Sequence, residues 1–197
     1  NLQVIVNSVI HHDNLGDLKK LAVYLRRFNL DYHAFEIMRG DFRDKSLINA
    51  DMEEIKDMHE FILKNRQWYL ARDLRSNSVF DFLNRIAVLG HLNYTQKLKE
   101  SALLGKKWPM RCAAGDSIAV IYPNGNVGLC ELLEPVGILK QYNYDLKQVI
   151  LSPAAQKQRE LIREKCNSCT HICFINASIA SDWKTALKLL YFYFKVK

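Results

Sequence analysis

The chain has 197 residues, 49% apolar and 25% charged, the make-up of an ordinary globular chain of one or two domains, which excludes a disordered or low-complexity segment. Its net charge is +7 with a pI near 9.1, but the basic residues are scattered and form no basic-aromatic stripe, so a nucleic-acid partner is not expected. The sequence as given shows no signal-peptide pattern and no run of about 18 apolar residues able to span a bilayer, so reduced thiols and a cytoplasmic location are expected.

The stretch Leu2-Gln-Val-Ile-Val-Asn-Ser-Val-Ile10 is rich in β-branched residues and reads as a strand with no lead-in, the expectation for a chain cut out of something longer. Asn14 can cap a helix with Asp17 in its first turn and Leu18, Leu21, Ala22 and Leu25 on the buried face. A second strand follows at about Tyr32 to Met38 and is interrupted by Arg39-Gly40-Asp41. Strand, helix, strand reads as a βαβ unit, hence a parallel sheet covered by helices, with active sites past the carboxyl ends of the strands. That puts His11, His12 and Asp13 on one rim with Arg39, Gly40 and Asp41 beside them. Arg39 suits a carboxylate or phosphate of a substrate. An ion pair with Asp41 or Asp44 is its structural alternative, and the plainer reading of the two histidines is a solvent-facing loop.

From Asn49 the pattern is helical. Asn49 or Asp51 can cap, Glu53 and Glu54 suit the positive first turn, and Met52, Ile55, Met58, His59 and Ile62 recur at helical spacing. Ser76-Asn77-Ser78 breaks the run; Val79 to Ile86 and Leu92 to Leu104 then read as helix, ending at Gly105. The stretch from Asn49 to Lys107 shows no chemistry, and its methionines and aromatics read as core.

All five cysteines, Cys112, Cys130, Cys166, Cys169 and Cys173, follow. Ser117-Ile-Ala-Val-Ile-Tyr122 and Asn126-Val-Gly-Leu-Cys130-Glu131 flank Pro123-Asn124-Gly125, a hairpin signal. With Asn124 and Gly125 as the two turn residues, Cys130 is expected opposite Ala119. Cys112, seven residues before Ala119, would lie about 23 Å away on an extended chain. Ala113-Ala114-Gly115-Asp116 is where the chain can turn back and bring the two thiols together.

Ser152 reads as N-cap of a helix with Pro153 in its first position, leading into Cys166-Asn-Ser-Cys169-Thr-His-Ile-Cys173. If helix runs past Cys169, Cys173 stacks on it at i+4. Soft thiolate sets of this kind select zinc or iron-sulfur clusters. The alternatives are small buried hydrophobes or disulfides, and an odd count with Cys-x2-Cys inside one turn argues against bridging. Ala186 to Phe194 is apolar but short and reads as a packed terminal helix, with a peripheral membrane contact as a minor alternative.

The text Ile-x-Pro-x-Gly-x-Val-x-x-Cys-Glu at Ile121 to Glu131, Gly137-x-Leu139 after it, and the order Cys112, Cys130, Cys166-x2-Cys169-x3-Cys173 resemble the auxiliary-cluster domain of radical SAM enzymes, the SPASM or shorter twitch type, over residues 107 to 175. The resemblance implies an α/β chain, α+β overall. Residues 1–106 would be the C-terminal part of a partial parallel (β/α) barrel with a helical extension, and residues 107–197 a β-hairpin plus helices Fe-S domain with a terminal helix. A full SPASM domain has seven cysteines for two clusters; this chain has five, which implies one [4Fe-4S] cluster held by Cys112 and Cys130 with two of Cys166, Cys169 and Cys173. Asn7 and Arg39, on and just after the strands, become candidates for cofactor contact.

The Cys-x3-Cys-x2-Cys loop that such enzymes use to cleave S-adenosylmethionine is absent, so the chain as given is not expected to cleave it, and a missing N-terminal barrel half is the expected partner. The implied activity is that of an oxidoreductase acting on a peptide or small-molecule substrate. Two other readings stand beside it: a non-enzymatic zinc module for partner recruitment, disfavoured by the 17 residues between Cys112 and Cys130, and an α/β domain without metal.

Overall fold

The computed structural model describes residues 2–39, 51–73, 78–166 and 168–195. Gly40, Asp41, Asp44, Asn49, Ser76 and Asn77, to which the sequence reading assigned roles, lie outside the described residues. In chain order the elements are β1 (Ile5–Ile10), α1 (Leu15–Leu25), β2 (Tyr32–Ile37), α2 (Met52–Asp73), α3 (Val79–Leu103), β3 (Val120–Ile121), β4 (Asn126–Gly128), β5 (Gly137–Ile138), α4 (Leu146–Ile150), α5 (Pro153–Lys165), α6 (Ile172–Ser181) and α7 (Thr185–Phe194). The fold is a mixed α+β one, and the chain divides into two units, Asn1–Glu100 with Ala186–Lys197, and Ser101–Thr185.

In the first unit β1 and β2 pair in parallel, in register from Ile5 opposite Tyr32 to Ile10 opposite Ile37, as a strand-helix-strand connection requires. Alternation sorts their side chains: Ser8, Ile10, His33, Phe35 and Ile37 are buried, while Ile5, Asn7 and Val9 stand exposed on the opposite face of β1. Leu18 and Ala22 of α1 are buried, but Leu21, expected beside them, is exposed, because the apolar face of this short helix is narrower than its sequence pattern. Asn14 stands at the N-cap of α1 without capping it. Its Oδ1 accepts from the His11 amide at 3.0 Å and its Nδ2 donates to the Val9 carbonyl at 2.9 Å, so it braces the strand-to-helix turn instead.

α2 is started by Asp51. Its carboxylate accepts from the Glu53 amide at 3.3 Å while Glu54 reaches back to the Asp51 amide at 3.1 Å, a reciprocal cap. Where two helices were expected after Ser78, α3 is one helix running through Gly90 to Leu103. Gly90 is there for close approach: a Cβ on it would stand 2.2 Å from the Leu189 carbonyl oxygen of α7. Asn93 Nδ2 donates to the Phe192 carbonyl at 2.8 Å and Tyr94 stacks on Phe192, so the terminal helix packs with the first unit and not with the cysteine-bearing segment where the sequence reading placed it. Among the described residues no helix is long and apolar enough to cross a membrane.

The second unit has a three-stranded antiparallel sheet, β3-β4-β5, with α4, α5 and α6. Its core is Ala114, Val127, Leu129, Val136, Val149, Ala155, Ile162 and Phe174. α5 begins as expected, with the Ser152 hydroxyl accepting from the Ala155 amide at 3.2 Å and Pro153 in the first turn, where its missing N–H has no partner to lose.

Candidate metal centre

The hairpin departs from its expected register by one residue: Val120 pairs with Gly128 and Ile121 with Val127, so Cys130 does not face Ala119 but lies beyond the end of β4. Pro123 is the cause. Its fixed φ suits the first central position of a type I turn, so the turn opens one residue earlier and Gly125 follows in the left-handed region at φ 82°. The loop therefore has three residues, closed by hydrogen bonds of 2.9 Å from the Gly125 amide to the Tyr122 carbonyl and from the Tyr122 amide to the Asn126 carbonyl.

The predicted reversal after Cys112 is present. The Asp116 and Ser117 amides both donate to the Ala113 carbonyl, at 3.1 and 2.9 Å, around Gly115 at φ 77°. A Cβ on Gly115 would lie 2.8 Å from Leu129 Cδ1 and 3.3 Å from Arg159 Cγ, so only glycine lets this turn press against the strand end that carries Cys130. Arg159 of α5 fastens it, its Nε donating to the Gly115 carbonyl at 2.8 Å while Arg163 pairs with Asp116 at 3.1 Å.

α5 ends at Lys165 and leaves Cys166 in extended backbone. Helix does not continue past Cys169, as the i+4 stacking would need. His171 caps a new helix, α6, accepting from the Cys173 amide at 3.3 Å, so Cys173 enters the first turn of α6 while Cys169 stays in the loop before it. His171 is itself held by Glu131, the neighbour of Cys130, and its ring meets Phe174 edge-on, which ties the hairpin end to the later cysteine segment.

The consequence is a division of the five thiols, all of them free. Cys112, Cys130, Cys166 and Cys169 are partly buried and pack against the one core; Cys173 is exposed. Burial pushes the pKa of all four packed thiols up, that of Cys169 to about 11, where the charges of Cys112, Cys130 and Cys166 add to it. Against burial, the backbone N–H two residues on lowers three of these pKa values, Ala114 acting on Cys112, Leu132 on Cys130 and His171 on Cys169. Those donors stabilise a thiolate, the form in which cysteine binds metal. Among the described residues no three His, Cys, Asp or Glu side chains are drawn together tightly enough to grip a single ion.

The strand-end residues form no comparable group. Asn7 is exposed on β1 opposite Ala34. Asp13 is exposed, His12 stands 3.5 Å from Glu54, and Arg39 pairs with Glu36 at 3.7 Å, an acceptor it shares with the buried Lys99 at 3.5 Å. A second polar site escaped the sequence reading. His59 Nδ1 and Glu100 Oε1 meet at 2.9 Å, both buried, and Lys97 holds the same carboxylate at 2.9 and 3.0 Å. Burial lowers the pKa of His59, with Glu100 opposing it. In Glu100 burial acts upward, but the bonds from His59 and Lys97 outweigh it and hold the carboxyl low. The legible signal was Asn93, Gln96, Lys97 and Glu100 at i, i+3, i+4 and i+7, which reads equally as a solvated helix face.

No family model matches the chain, nor does any curated protein or solved structure.

Proposed function

We propose that the second unit holds one [4Fe-4S] cluster through Cys112, Cys130, Cys166 and Cys169, and that the chain is the C-terminal part of a radical SAM oxidoreductase. When bound, such a cluster supplies an iron site for a substrate or a one-electron acceptor. The observation that carries the reading is the convergence on one core of four thiols from three separate segments, with Cys173 set apart. The residues' task is to present soft ligands with their amide donors in place and to shield them: Gly115 and Arg159 bring Cys112 to Cys130, and the Glu131–His171 pair joins Cys130 to Cys169.

Closed zinc sites commonly pair two short Cys-x2-Cys knuckles, whereas 17 residues separate Cys112 from Cys130, which favours the cluster. The zinc module remains the second reading because four thiolates satisfy either. All five thiols being free suits a reducing compartment, the cytoplasm.

The barrel part of the proposal is supported by β1 and β2. Parallel sheets are normally covered on both faces, yet Ile5, Asn7 and Val9 lie open on the face away from the buried one, where further strands from a separate barrel half would enclose them. Asn7 then faces the barrel interior and Arg39 its rim, the side on which S-adenosylmethionine and a peptide or small-molecule substrate would bind. Residues 107–185 are the auxiliary-cluster domain on this reading, and residues 1–106 the barrel part with its helical extension.

Anaerobic purification tests the centre. A brown protein absorbing near 400 nm with about four irons per chain is expected; a colourless one with about one zinc selects the structural module instead. Cys130→Ala loses the metal and Cys173→Ala keeps it. Metal lost from Cys173→Ala and retained in Cys166→Ala overturns the ligand set, and a metal-free chain overturns both readings.

A further inference from the structure

The first unit contains a cleft of about 590 Å³ between α2, α3 and α7, within the size range of small-molecule sites. Its walls are not those of a helix-packing gap. Lys56 and Lys64 of α2, Lys97 of α3 and Lys195 just after α7 line it against two carboxylates, Glu60 and Glu100, so the cleft is a basic one. Glu100 is already engaged by Lys97 and His59, and Lys56, Lys64 and Lys195 have no carboxylate partner among the described residues. Phe192 adds an apolar wall, and Lys195, itself exposed, holds its ammonium 5.5 Å from the Tyr191 ring centre at the side of the cleft.

His59 supplies the second requirement. Its ring is 4% exposed and anchored by Glu100 at Nδ1, which places the imidazole N–H there and leaves Nε2 a bare acceptor. That Nε2 is buried and has no hydrogen-bond partner. Buried acceptors without partners are costly, and the group that would satisfy this one is an O–H or N–H donor. Lysines around the cleft and a lone acceptor in its wall together describe a ligand with a negative charge and a nearby hydroxyl.

We propose that this cleft binds a small organic anion bearing a hydroxyl group, the charge held by Lys56, Lys64 and Lys195 and the hydroxyl donated to His59 Nε2. The site lies wholly in the first unit and does not depend on the metal reading. Calorimetric titration of the full chain with glycerol 3-phosphate, glycerate and ethyl phosphate tests it, the first two differing in the anion and the last lacking a hydroxyl.

Saturable binding is expected, with ethyl phosphate bound about fivefold or more weakly than glycerol 3-phosphate. Whichever of glycerol 3-phosphate and glycerate binds tighter tells whether the anion is a phosphate or a carboxylate. Lys56→Gln and Lys64→Gln, exposed positions whose replacement leaves the circular dichroism unchanged, each weaken binding about fivefold. Absence of saturation by all three probes, or affinities indifferent to both lysine changes, overturns the site. Equal affinity for ethyl phosphate and glycerol 3-phosphate overturns the role of His59.

Discussion

Gly115→Ala is the substitution on which the geometry of the thiol centre bears most directly. Two costs follow from the structure. The residue sits at φ 77°, where an L side chain costs roughly 1–2 kcal/mol. The new Cβ would also stand 2.8 Å from Leu129 Cδ1 and 3.2 Å from Leu129 Cβ, and Leu129 is fully buried in the core, so overpacking adds about 1–3 kcal/mol. Gly105→Ala is the control, because Gly105 has a similar φ of 69° but nothing within 4 Å of the added Cβ, and it bears the backbone cost alone.

By urea unfolding, Gly115→Ala is expected to lose roughly 2–5 kcal/mol and Gly105→Ala about 1–2 kcal/mol. Since the strained turn carries Cys112, metal content should fall in the first variant and hold in the second. Equal losses in the two variants would refute the claim that the Cys112 turn is pressed against Leu129.

Arg159→Met keeps the bulk of a 9% exposed side chain but orphans the Gly115 carbonyl, and a loss of about 1–3 kcal/mol in thermal unfolding is expected; no measurable change would mean that the carbonyl finds another donor. His33, buried and bonded to Ser8 at 2.8 Å, has its pKa lowered by burial from 6.5 to about 4. Between those values the unfolded chain binds more protons than the folded one, so the His33 contribution is intact above pH 6.5 and is lost on acidification, by about 3 kcal/mol at pH 4. His33→Gln should flatten the pH dependence of urea midpoints between pH 7 and 4. Because burial also holds His59 and His91 low, the slope shrinks without vanishing; an unaltered slope would sink the assignment.

Features governed by local chemistry were legible. The βαβ start, the Ser152-Pro153 helix start, the helix end at Gly105 and the turn-back at Gly115 depend on residues within a few positions of one another. The hairpin register was missed although its cause, Pro123, is also local: Asn-Gly and Pro-x-Gly compete for the same turn, and one residue of difference moves Cys130 off its expected partner. Spacing alone likewise left Cys169 and Cys173 as a helical pair, and the competing signal was His171, whose ring caps a fresh helix between them.

By itself the sequence determined that five cysteines crowd into one segment after a parallel βαβ start, because composition, periodicity and capping are properties of neighbours along the chain. Only the tertiary structure decided which four thiols share a core and which one faces water, and that a polar stripe on α3 is turned inward against His59. Burial is a relation between distant segments: the same Glu100 or Cys173 reads identically whether its helix face meets another helix or solvent, and packing alone tells them apart.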